Sequence, residues 1–163
     1  MPKRAPEIDL LLQFLDESFD HPAWHGTNLR GSVRRLSAEE AAWRPSKERH
    51  NIWEIVVHCA YWKYAVRRRI LGEKRGSFPE KGSNWFNRPS DGSEDEWQKD
   101  ISLLEQMHRS LRQAIVSLPT SRLKKKVAGS KWTTVQTISG AASHDLYHAG
   151  QIQLLKKLLP KKG

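Results

Sequence analysis

The sequence predicts an all-α fold, a four-helix bundle with a long crossover connection between its second and third helices. Three observations predict it. Four runs carry apolar residues at three- and four-residue spacing, each bounded by capping residues, Gly or Pro. Strand signals are poor, and no internal repeat is visible. The connection from Glu73 to Gly92, roughly twenty residues rich in Gly, Pro and Ser, is long enough to run the length of a bundle, so the helices it joins can be parallel rather than a hairpin.

The first helix spans Pro6 to Phe19, with Pro6 suited to a first turn and Ile8, Leu11, Leu12 and Leu15 on one side. A mixed stretch follows, in which Ser37-Ala38-Glu39-Glu40 is a capping-box pattern for a short helix stopping before Pro45. The second long helix opens at Asn51-Ile52-Trp53-Glu54 and ends near Gly72. The third opens with Ser93-Glu94-Asp95-Glu96 and carries Trp97, Ile101, Leu104, Leu111, Ile115 and Leu118 before Pro119. The fourth opens with Thr133-Thr134-Val135-Gln136 and runs to about Leu159, before Pro160. In the long connection, Trp85, Phe86 and Pro89 have no reason to face water and are expected to cover one end of the bundle as a lid or a strap.

The 163 residues are read as one domain, 1–163, with a hydrophobic fraction of 37% and seven Trp to fill its core. No apolar run approaches the length of a transmembrane helix, and the N-terminal run reads as an amphipathic helix rather than a signal peptide. A single cysteine, Cys59, excludes an internal disulfide and fits a reducing cytoplasm. The formal net charge is +10. Its clusters, Arg67–Arg69, Lys124–Lys126, Lys156–Lys157 and Lys161–Lys162, close helical runs or sit in loops, where cations favour helix C-termini. No nucleic-acid motif accompanies them, so any nucleic-acid binding is expected to be weak and salt-dependent.

The chemistry sits on two helices. His144 and His148, four residues apart in SHDLYHAGQIQLLKK, lie on one face with Cβ atoms roughly 5–6 Å apart. They share an inward stripe with Ile138, Ala141, Ile152 and Leu155. His58 lies on an inward stripe of the second helix with Ile55, Trp62 and Ala65. A lone helical histidine pair is more often a hydrogen-bonded core feature than a ligand set. Two inward stripes that both carry histidine argue for a shared partner, because an unpaired buried imidazole is costly. Three imidazoles would leave an open coordination position, as in a catalytic metal site. Cys59 adjoins His58 but points about 100° away and reads as packing. Asp145 is likewise turned off the stripe, and although His144-Asp145-Leu146-Tyr147-His148 imitates a zinc-protease helix, Asp145 is one methylene too short for its catalytic Glu. Glu54, one turn before His58, is a candidate general base but is more simply a capping carboxylate. Gln151, one turn beyond His148, can orient a substrate or bond an interior backbone group. His108 reads as a bundle-end residue.

The segments LSAEEAAWRP, NIWEIVVHCAYW and SKWTTVQTISGAASHDLYHAGQI, together with the long connection between the second and third helices, resemble the DinB/YfiT-like superfamily of metal-dependent enzymes. The resemblance covers nearly the whole chain. It implies a divalent ion on His58, His144 and His148, and often a homodimer. Members include bacillithiol and related thiol transferases and a mycothiol-dependent isomerase; others are described as hydrolases. Two chemistries therefore compete for a small-molecule substrate: S-transfer from a low-molecular-weight thiol, and hydrolysis by activated water. Zinc, nickel, cobalt, iron or manganese suits the imidazole set, and a thiolate ligand would favour zinc or nickel. Trp62, Trp85 and Phe86 are expected to shape the apolar side of the substrate pocket. A non-catalytic scaffold stapled by the ion, and a basic module for an anionic partner, complete the alternatives.

Overall fold

The computed structural model describes residues 4–160, and Lys161 and Lys162 lie outside them. Seven helical elements follow one another: α1 (Pro6–Phe19), α2 (Leu29–Ser32), α3 (Ala38–Ala42), α4 (Ile52–Leu71), α5 (Glu94–Val116), a 3-10 turn (Thr120–Arg122) and α6 (Thr134–Leu158). No strand occurs among the described residues; one isolated antiparallel bridge, Lys126 with Thr133, closes the α5–α6 connection. The long helices α1, α4, α5 and α6 are the four of the bundle, with α2 and α3 inserted between α1 and α4. No apolar periodicity announces α2, a single turn capped by Asn28.

Local chemistry explains the boundaries. Complete capping boxes start α3 (Ser37 with Glu40), α5 (Ser93 with Glu96) and α6 (Thr133 with Gln136). Gly72 ends α4 at φ 73°, a left-handed position that glycine adopts without a Cβ clash. The start of α4 departs from the expected capping box. Asn51 accepts from the Glu54 backbone N–H, but the Glu54 carboxylate turns to Arg44 and His50 instead.

Packing sets the directions. Trp53 at the start of α4 meets Trp97 at the start of α5, ring centroids 5.4 Å apart, and donates its indole N–H to Asp100 at 2.7 Å. The two helices are therefore parallel, and the long connection is a crossover. Across α4 and α6, His58 faces His144 and the later Val66 shares a cleft with the earlier Val135, so this pair is antiparallel. From Ile52 to Val66, α4 is buried at every position except the half-buried Trp62. It packs on α3, α5 and α6 and is covered by the 73–92 connection, so it is apolar nearly all round rather than along one stripe. The connection lies along α4: Tyr64 Oη accepts from the backbone of Gly76 and Ser77, while Phe86 packs on Tyr61 and Phe78. Gly92, where the connection re-enters the bundle, approaches Trp53 so closely that a Cβ would fall 2.6 Å from its ring. No helix is long and apolar enough to cross a membrane among the described residues.

Candidate metal centre

The bundle brings His58, His144 and His148 together. His144 Nε2 lies 3.1 Å from both His58 Nε2 and His148 Nε2. Two nitrogens at this separation can each sit about 2.0–2.1 Å from one ion. His58 and His148 are buried and His144 is half-buried.

The opposite ring nitrogens decide what these Nε2 atoms carry. His58 Nδ1 lies 2.7 Å from the backbone carbonyl of Asn84. A carbonyl only accepts, so Nδ1 holds the proton and Nε2 presents a lone pair. His148 Nδ1 donates to Gln151 Oε1 at 2.7 Å, while the Gln151 amide nitrogen donates to the Tyr147 hydroxyl. Two bare nitrogens thus face one Nε2 of His144, which has at most one proton to give. A cation at the common point satisfies all three. Burial lowers the His58 imidazole to about 4 and that of His144 to about 3, and lowers His148 as well. All three are then neutral, the form that binds metal. The group can hold a metal ion.

Asn84 reaches this position at φ 69°, left-handed backbone that asparagine tolerates better than most residues. Its side-chain oxygen accepts from the Trp62 indole at 2.9 Å. Trp85 stacks on His58 at 3.8 Å and on His50 at 3.6 Å, so the indole lies between two nearly parallel imidazoles. Segment 84–85 therefore clamps the first histidine by main chain and by ring.

The remaining candidates divide between the site and the core. Trp62 meets His58 and His144 edge-on. Phe86 joins the core with Tyr61 and Phe78 and lines neither cleft beside the histidines. Glu54 is buried, paired with Arg44 and hydrogen-bonded to His50 at 3.0 Å. Burial acts to raise its carboxyl, but those partners win and hold it below the ordinary range. It is an anchored anion rather than a free base. His108 stacks on Phe19 at 3.7 Å, away from the three histidines. Cys59 is fully buried, its sulfur within 4.8 Å of a His144 nitrogen and an Asp145 oxygen. Burial keeps that thiol protonated, and Asp145 is spoken for by Lys63, a pair almost wholly out of water directly behind His144. Lys63, His50, Asn84 and Arg44 are site neighbours that no helical periodicity announced.

Two clefts reach the histidines. One, about 680 Å³, runs between α4 and α6 past Trp62, Arg69, Trp132 and Val135 to His144. The other, about 520 Å³, is lined by Arg49, His50, Trp85, Tyr147, Gln151 and Leu155 and reaches His148.

A family model described as the DinB superfamily matches residues 23–152. No curated protein and no solved structure matches the chain.

Proposed function

Because this chain belongs to the DinB superfamily, we propose that it is a divalent-metal-dependent thiol S-transferase acting on a small electrophile with a low-molecular-weight thiol. In this reading His58, His144 and His148 hold the ion, and zinc or nickel is favoured because a thiolate suits these softer first-row ions. One observation carries it: three neutral imidazoles converge through Nε2 while two of them are locked by acceptors on Nδ1. A divalent ion held there would keep its full positive charge and favour anionic sulfur over thiol.

The chain's own residues do the rest. Asn84 and Gln151 fix the two imidazoles that they touch. Trp62 and Trp85 wall the histidines and exclude water from one side. Cys59 is buried and protonated, so the nucleophilic sulfur comes from solution. Arg69 and Arg49, one in each cleft, suit acidic groups on such a thiol. We also propose a homodimer, supported by exposed Leu10 and Phe14 on α1 and Leu154 and Leu158 on α6, and a cytoplasmic setting. The basic clusters are secondary in this reading.

The test is metal-loaded protein with a model electrophile, with and without bacillithiol, glutathione or mycothiol. Turnover that requires a thiol is expected. Rates that ignore every thiol, with thiol-free hydrolysis abolished by His58→Ala, would move the assignment to a hydrolase. Silence in both assays, with metal-dependent thermal stability intact, would make the ion a staple between α4 and α6.

A further inference from the structure

His50 is not on a helix, not among the three histidines, and half-exposed with 47% of its side chain in solvent. Its surroundings are nonetheless built. Its Nδ1 lies 3.0 Å from Glu54 Oε2. Glu54 is buried, 3% exposed, and both of its oxygens accept from the Arg44 guanidinium, one at 2.9 Å. Arg44 also donates to the Arg49 carbonyl at 2.8 Å, which pins the backbone beside His50. The imidazole face rests on Trp85, whose other face rests on His58. The ring lines the same cleft as His148 and Gln151.

This arrangement repeats the logic of a nucleophile-activating relay. A buried anion accepts from Nδ1, which leaves Nε2 as the bare nitrogen. A surface histidine that served only packing would not need a buried carboxylate fixed by an arginine, since burying that carboxylate is costly. The helix start does not need it either, because Asn51 already caps α4.

Resting on the transferase reading above, we propose that His50 is the general base of the second cleft and accepts the proton of the incoming thiol at Nε2, with Glu54 and Arg44 as its positioning residues. The S–H bond breaks with its electron pair left on sulfur, and the proton passes to Nε2. Sulfur forms the bond to the electrophilic carbon. The carbon–halogen bond of a halide substrate breaks with its pair on the departing halide, and the imidazolium then releases its proton to solvent. With an epoxide substrate, the opened oxygen takes the proton back from the imidazolium.

The experiment uses the zinc-loaded full chain with bacillithiol and monochlorobimane, together with nitrogen-15 NMR of the histidine rings. His50 is expected to carry its proton on Nδ1 in wild type and to lose that preference in Glu54→Gln. His50→Ala is expected to lose about a hundredfold in turnover with zinc content unchanged, and added imidazole to restore part of it. A His50→Ala protein as active as wild type, one that loses zinc along with activity, or a wild-type His50 protonated on Nε2 would each overturn the role of His50 alone. A wild type without turnover with any low-molecular-weight thiol would overturn the transferase reading and the base with it.

Discussion

His58 donates its Nδ1 proton to the carbonyl oxygen of Asn84 across 2.7 Å, 26 positions along the chain. That bond makes the long connection part of the histidine cluster rather than a cover for it, because it fixes which nitrogen of His58 faces the common point. Gln151 does the same for His148 from within α6.

The Gln151 contact can be tested by truncation. Partners on the far nitrogen of a ligating histidine typically contribute 10–100-fold in metal affinity. Gln151→Ala is expected to weaken zinc binding by about that factor in a competitive chelator titration, with the helical spectrum unchanged. Unaltered affinity would show that His148 needs no such orientation.

The long helices and the three histidines were legible because both depend on local spacing. His144 and His148 are one turn apart, and His58 lies on a recognisable helix. What was not legible depends on long-range geometry. Lys63 meets Asp145 across 82 positions, and only the crossing of α4 and α6 puts them together. His50 precedes its helix, so no stripe contained it. Sequence places Phe86 beside the substrate with Trp85, but neighbours on an extended segment face opposite ways, and Phe86 turns into the core. The capping role that the pattern predicts for Glu54 is displaced by Arg44, a partner ten positions earlier.

The Lys63–Asp145 pair is almost fully buried. Removing one partner leaves the other charge stranded in the core, which commonly costs about 3–5 kcal/mol. Lys63→Met and Asp145→Leu are each expected to destabilise the fold by roughly that amount in urea titration, and the double substitution by clearly less than the sum. Additive losses would mean that the two side chains act independently.

His108 gives a pH dependence separate from the histidine cluster. It is 4% exposed, stacked on Phe19, and its Nδ1 has no hydrogen-bond partner. Burial, aided by Lys63 and Arg112, lowers it to about 2, although Asp16 lies 3.7 Å away. It is therefore neutral when folded, and the Asp16 contact is not an ion pair. Below a pH of about 6.5 the unfolded chain takes up a proton that the folded chain refuses, so stability falls as pH drops from there toward 2. Between pH 7 and 5 the loss from this group is up to about 2 kcal/mol. His108→Phe, which preserves the stack, is expected to flatten the wild-type slope in that interval. Parallel slopes would place the proton-linked loss elsewhere.

Whether the three Nε2 atoms share one ion is tested most directly by the metal content of protein purified without a histidine tag. About one divalent ion per chain is expected, zinc or nickel, falling sharply when His58, His144 or His148 is replaced by Ala. Stoichiometric metal retained by the triple substitution, or none bound by wild type after incubation with zinc or nickel, would contradict it.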